Sequence, residues 1–337
     1  MMVSSKDVAR LAGVSQPTVS RALRGDPRLT EATKQKVRSA AEQLGYSPNA
    51  FGRALATGRS TRVGLLVTDL DNHFFINVLA AIHDELGGSG HEMILLTESS
   101  GADGIEARVS SLGLGGVILA TTTTASLLPI RLADRSIPFV YFNRVSELVA
   151  ADSVQVDPEV GLGELAAALA ELGHEQVGAV LGPSNTSTGV AREFALRRAL
   201  AAHGLTLRDE STRRGDFSVE CGNLLAGELL DAERRPSVIV CGNDDVALGA
   251  LNAAAARGLR VPEDVSVVGF DDLPTASWPI VQLTTVRYDL EGMARAAARA
   301  MVRRMESVPG AEVELEAVVL PSSLVRRRSL GVAPTRS

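Results

Sequence analysis

From Arg62 onward the sequence repeats one pattern: a short unbroken apolar run followed by a longer helical stretch. The run at 63–68, VGLLVT, is the first. Val/Ile/Leu runs without alternation suit strands covered on both faces, and intervening helices make successive strands parallel. The expected strands are 63–68, 92–97, 116–120 and 138–142, with helices at 75–87, 104–112 and 126–134. After Asp157 the series starts again. Helices are expected at 160–172, 189–203, 219–230 and 245–257, and strands at 176–181, 237–241 and 266–269. Residues 204–215 read as a short connection. Two such series make an α/β body of two doubly wound lobes with parallel sheets.

In sheets of this kind ligands bind beyond the carboxyl ends of the strands. The residues that follow the strands are therefore the candidates. They are Asp69, Asp71, Asn72, His73, Phe74 and Phe75; Asn143 and Arg144; Ser184 and Asn185, with Arg192 in the next helix; Phe217; Asn243 and Asp244; and Asp271 and Asp272. Amides and carboxylates satisfy hydroxyl groups, and aromatic faces cover C–H surfaces, so a small polar ligand fits the set. The bland alternative is that a strand-end Asn or Asp only caps the next helix, as Asn243 can.

The first 60 residues differ in kind. They hold ten Lys/Arg against four Asp/Glu, whereas the remaining 277 hold 24 against 36. A small basic module on an acidic body is the expected layout, with only the module facing phosphates. Three short helices follow from the spacing. Ser4 or Ser5 caps the first, whose apolar side is Val8, Ala9, Leu11 and Ala12, and Gly13 ends it. Ser15 caps the second, 16–23, with Pro17 in its first turn and Val19 and Leu23 inward. Thr30 caps the third, 31–44, with Ala32, Val37, Ala40, Ala41 and Leu44 inward. Two helices joined by a tight turn, with a polar outer face on the second, form a helix-turn-helix that fits the major groove. Arg21 can fork to guanine and Gln16 can read adenine or a phosphate. The short hydroxyls of Ser15, Thr18, Ser20 and Thr33 suit phosphates. A solvated three-helix bundle is the competing reading of spacing alone.

The run KDVARLAGVSQPTVSRALRGDPRLTEATKQKVRSAAEQLGYSPNAFGRALATGRS resembles the headpiece of the lactose-repressor (LacI/GalR) family. The resemblance implies that Ser15, Gln16, Thr18, Ser20, Arg21 and Thr33 occupy DNA-contacting positions. Pro17 and Arg24 depart from the family pattern at that surface. The segment after it, PNAFGRALATG, can form a short helix capped by Asn49. In the family the equivalent hinge helix places a leucine in the minor groove; that leucine corresponds to Leu55, an apolar wedge that would kink the duplex. CGNDDVALGAL, VPEDVSVVGFDD, QLTTVRYDLEGMARAA and LPSSLVRRRS resemble the family's periplasmic-binding-protein-like effector domain. By position its effector residues carry over to Phe74, Phe75, Asn143, Arg192, Phe217, Asn243 and Asp271. His73 stands where proline is common, and Asn143 where aspartate is frequent.

The resemblance implies a helix-turn-helix domain at 1–47, a hinge at 48–60 and a two-lobed body at 61–337. Lobe 1 would take 61–157 and 290–320, and lobe 2 would take 158–289 and 321–330. The expected function is a ligand-responsive transcription regulator, a repressor, working as a homodimer on a pseudo-palindromic double-stranded operator with a carbohydrate effector. No cofactor, metal or catalytic group is expected. LGLGG precedes a strand where a dinucleotide loop follows one, and the histidines lack metal spacing. Cys221 and Cys241 read as small core hydrophobes. MMVSSKDVAR has no apolar signal core and no run of about 18 apolar residues occurs, so a cytoplasmic protein is expected. A transport solute-binding protein and an α/β enzyme are the rivals. The basic module argues against the first, and the missing phosphate loop and nucleophile elbow against the second.

Overall fold

The computed structural model describes residues 3–23, 25–46, 60–68, 72–97, 101–307 and 314–335. It divides into two units, residues 1–60 and 61–337. The small unit contains α1 (Ser5–Ala12), α2 (Gln16–Leu23) and α3 (Glu31–Gln43). Asp7 reaches back to the Ser4 backbone N–H at 3.0 Å, which fixes the start of α1. Gly13, at φ +62°, ends it in the left-handed conformation that glycine adopts without strain. Thr30 Oγ1 accepts from the Thr33 N–H and starts α3. Val8, Ala12, Val19, Ala22, Val37 and Ala40 form a small common core.

Two inward assignments fail. Leu11 is exposed, because α1 meets its neighbours through Val8, Ala9 and Ala12. Ala32 is also exposed; the stem of Lys34 is buried in α3 instead, with its ammonium on Glu31. A lysine can cover apolar surface while its charged end stays near water.

The large unit begins with β1 (Arg62–Val67), α4 (His73–Gly88), β2 (Glu92–Thr97), α5 (Gly101–Ser111), β3 (Gly116–Leu119), α6 (Leu128–Asp134), β4 (Phe139–Phe142) and β5 (Asp152–Asp157). Then come α7 (Glu159–Glu171), β6 (Val177–Leu181), α8 (Ser187–Ala202), β7 (Leu207–Arg214), α9 (Val219–Asp231), β8 (Val238–Cys241), α10 (Asp244–Ala256) and β9 (Ser266–Asp271). The chain closes with β10 (Thr284–Tyr288), α11 (Leu290–Glu306) and β11 (Ala317–Val325). The strand order is β2-β1-β3-β4-β5-β11-β10-β9-β8-β6-β7.

Each sheet half is covered on both faces, as the unbroken apolar runs require. Leu66, Leu96, Val117, Leu119 and Tyr141 pack under α5 and α6, while Val63, Leu65, Ile118, Val140 and Phe142 pack under α4 and α11. In the second half Val180, Ile239 and Val267 face α9 and α10, and Ala179, Val240 and Val268 face α7 and α8.

The halves are joined by one strand. Residues 317–321 of β11 run parallel to β5, and residues 322–325 run antiparallel to β10. The sheet is therefore not wholly parallel, because the chain returns from the first half by continuing along a strand rather than through a helix. Four strands were not foreseen: β10 and β11, which lie beyond the last strand expected, and β5 and β7. β5, DSVQVD, is polar and alternating, and β7, LRDESTRR, is a charged edge strand paired only with β6. Neither has the apolar run that marks the seven expected strands, and Thr284, Arg287, Ser322 and Ser323 break up β10 and β11 in the same way; charge on an edge strand is how sheets avoid pairing with foreign chains. Among the described residues no helix is long and apolar enough to cross a membrane.

Candidate nucleic-acid interface and interlobe cleft

On the small unit α2 carries the polar face that the spacing anticipates. Ser15, Gln16, Pro17, Ser20 and Arg21 are exposed, and Thr18 is half-buried. Ser15 Oγ accepts from the Thr18 N–H at 3.3 Å and meets Thr18 Oγ1 at 2.8 Å. Gln16 Nε2 donates to Ser5 Oγ at 2.9 Å, so the starts of α1 and α2 are tied together. Ser5 had no sequence signal beyond its possible role as a cap. Thr33 is half-buried, and its hydroxyl lies 2.9 Å from Thr30 Oγ1. Arg24, Asn49 and Leu55, and Asp69 and Asp71 of the large unit, lie outside the described residues.

In the large unit the carboxyl ends of β1, β4, β6, β8 and β9 meet across the two halves. Asn72, Phe74, Phe75, Asn143, Arg192, Phe217, Asn243 and Asp271, all singled out from sequence, line one small space there, with Arg144 and Thr188. That space measures about 20 Å³, and a second of about 30 Å³ lies beyond Asn143, Thr188 and Arg192. Each has room for about one or two waters.

Arg192 is the centre of the cleft. Its guanidinium donates to the Gly242 carbonyl at 2.5 Å and to Asp271 Oδ1 at 2.9 Å, and it stacks on Phe270 at 3.8 Å. Burial pushes the Asp271 carboxyl above the usual range, against the pull of Arg192 and of the Tyr288 hydroxyl. The Cζ end of the Phe217 ring lies against Gly182, where a Cβ would stand 2.0 Å from it, so only glycine admits that placement. Asn143 has φ +64°, and its Oδ1 is buried with no hydrogen-bond partner, as is Thr188 Oγ1. Buried polar atoms of this kind are rare and mark where a further partner belongs.

Asn243 does what the bland reading allowed: its Oδ1 accepts from the Val246 N–H at 2.9 Å and caps α10. Asn72 likewise caps α4 through Phe74 N–H, but its Nδ2 crosses the cleft to the Phe217 carbonyl at 2.8 Å. Its neighbour His73 also crosses. The His73 backbone N–H donates to Asp245 Oδ2 at 3.0 Å, and its Nδ1 lies 2.8 Å from Asp245 Oδ1. Asp244 is fully buried, accepting from Thr285 Oγ1 at 2.6 Å and Leu273 N–H at 2.7 Å, and burial holds its carboxyl well above the usual range.

Thr188 was not anticipated, although it stands four residues before Arg192 on one helix face, a spacing that would have found it. Tyr288 was missed because no strand was expected over 284–288, so its position at the carboxyl end of β10 was not considered. Trp278 is more than half exposed and does not line the cleft. Cys241 is core, but Cys221 is only partly buried, because it stands in the first turn of α9 beside Gly215.

A two-domain regulator with a helix-turn-helix unit and a two-lobed body is the class this architecture defines. Residues 5–49 match the model of bacterial regulatory proteins of the lacI family, and residues 166–330 match the periplasmic binding protein-like domain. The HTH-type transcriptional repressor PurR of Yersinia enterocolitica is 31% identical over 99% of each chain. A lac repressor dimer bound to operator and the anti-inducer ONPF is similar in structure, with TM-score 0.84, 27% identity and coverage of 98% of this chain and 99% of that one. A complex of the transcriptional regulator CelR with cellobiose has TM-score 0.74, 30% identity and coverage of 97% and 100%. The chain belongs to the lacI family of bacterial regulatory proteins.

Proposed function

We propose that the protein is a sequence-specific repressor whose operator affinity is set by a small hydroxylated ligand, a sugar or sugar derivative, bound between the lobes. The observation that carries this reading is the convergence of eight strand-end residues on one cleft. Arg192 and Asp271 neutralise each other, which leaves Arg144 as the remaining charge on a lining of amides, a hydroxyl and aromatic rings, a set that suits hydroxyl groups. Phe74, Phe75 and Phe217 supply faces for C–H surfaces. Similarity to a regulator solved with cellobiose supports the ligand class.

A ligand of sugar size needs far more room than the two small spaces provide, so the lobes part to admit it and close over it. Closure alters the relation of the two copies in a homodimer and hence of their headpieces. Ligand and operator affinities are then coupled reciprocally. The exposed apolar side chains Leu224, Trp278 and Ile280 offer a second copy something to cover. On DNA, Ser15, Gln16, Ser20 and Arg21 present the reading face, with Arg21 the base reader.

Selection from a random-sequence duplex pool tests the first half: a pseudo-palindrome should emerge at moderate salt, and its absence would sink the repressor reading. A thermal-shift panel of sugars, sugar acids and nucleosides tests the second. One sugar should raise Tm, and Asp271→Asn should abolish the rise; a response only to nucleosides would overturn the ligand class.

A further inference from the structure

We infer that Tyr288 is a positioning residue for the cleft: its hydroxyl, together with Arg192, fixes Asp271 through a single oxygen so that the other is presented to the ligand. The inference rests on the reading of the interlobe cleft as the effector site.

The Tyr288 hydroxyl donates to Asp271 Oδ1 at 3.0 Å, and Arg192 Nη2 donates to that same oxygen at 2.9 Å. Both donors converge on Oδ1, which leaves Oδ2 as the carboxylate's free acceptor. The backbone of Asp271 has φ +119°, a conformation that a non-glycine residue keeps only when its surroundings hold it there. The two bonds to Oδ1 hold its side chain, and pairing of Asp271 with Arg287 of β10 holds its backbone. Phe270 completes the cluster, stacked under Arg192 at 3.8 Å and tilted against the Tyr288 ring at 6.1 Å.

Core packing alone does not account for a tyrosine here. Tyr288 is 6% exposed. A buried hydroxyl is costly unless bonded, and phenylalanine would fill the same volume without that cost. The hydroxyl is bonded to the one carboxylate at the centre of the cleft. Tyr288 also lies where the chain leaves the second half of the body. It ends β10, opposite Ser322 of β11, and Asp289 after it caps α11, which packs on the first half. The residue that steadies Asp271 is thus anchored in the strand pair that joins the lobes.

The test uses the full chain and the conservative variant Tyr288→Phe. With carbon-13-labelled aspartate, the Asp271 carboxyl resonance, assigned by its loss in Asp271→Asn, is followed against pH without any ligand. A hydrogen bond to the charged form favours that form. Removing the hydroxyl should therefore move the Asp271 titration upward. Replacing the tyrosines by 3-fluorotyrosine, whose more acidic hydroxyl is a stronger donor, should move it downward. That second arm keeps the test open even where Tyr288→Phe folds poorly. An Asp271 titration unchanged by both substitutions overturns the inference.

Binding is measured with cellobiose, D-glucose and D-galactose. For a sugar that binds the native chain, Tyr288→Phe should weaken affinity about tenfold, the scale of one bond to a charged group. The acid limit of binding should rise together with the Asp271 titration. Unchanged affinity with a moved titration would overturn the presentation of Oδ2 while leaving the bond to Asp271 standing. Binding of none of the three sugars would count against the ligand reading, and the ligand-free titration would still decide Tyr288.

Discussion

Single residues in this protein are placed by what their polar atoms need. His174 is fully buried, with Nδ1 at 2.8 Å from Ser237 Oγ and Nε2 at 3.0 Å from the Gly331 carbonyl. Burial lowers its pKa below 6.5, against the pull of that carbonyl. The folded protein thus holds fewer protons on this ring than the unfolded chain does. The stability it contributes is present above about pH 6.5 and is lost as pH falls through the folded value. His174→Gln should cost about 1–3 kcal/mol at pH 8. Denaturant unfolding between pH 8 and 5 should then show a shallower acid loss than the native chain; an equal slope would mean that another group is responsible. On the headpiece, Arg21→Ala should lose about 1–3 kcal/mol of base discrimination and keep its salt-dependent nonspecific binding. Competition binding against scrambled duplex reads this directly, and undiminished discrimination would misplace the base reader.

At the level of elements, what matters is which ends meet. The first residues of α4 bond across the cleft, Asn72 to Phe217 and His73 to Asp245. His73 is the first residue of α4, a position that tolerates proline. His73→Pro removes both the backbone and the ring bond to Asp245 without breaking the helix. The closed arrangement should lose about 1–3 kcal/mol, visible as a larger radius of gyration in solution scattering and faster amide exchange around 243–246. An unchanged radius and unchanged exchange would show that these bonds do not hold the lobes. Most helices and the apolar-run strands were legible because their signals are local: Gln16–Leu23 and Glu92–Thr97 have the expected bounds. The strands β5, β7, β10 and β11 were not, because their pairing is decided by neighbours distant in sequence rather than by an unbroken apolar run of their own.

For the molecule as a whole, the exposed apolar surface of lobe 2 bears on assembly. Ile280 is 91% exposed and Trp278 54%. A homodimer that covers them should fall apart in Ile280→Asp, and sedimentation should then give the monomer mass at micromolar concentration. Operator affinity should fall with it, since two headpieces on a pseudo-palindrome gain from being joined. A dimer that persists would put the interface elsewhere.

The sequence by itself determined the basic module, its three helices, the α/β body and the strand-end residues of the cleft. Each of these follows from hydrophobic period, capping chemistry or charge within a short window. Only the tertiary structure decided that β11 bridges the two halves and reverses direction relative to β10. The same holds for the interlobe bonds of Asn72 and His73, and for the meeting of Tyr288, Arg192 and Asp271 on one oxygen. Those pairings join residues 17 to 172 positions apart. Periodicity tells which face of an element is buried, but not which partner lies against it, because that is set by packing among elements that no local window contains.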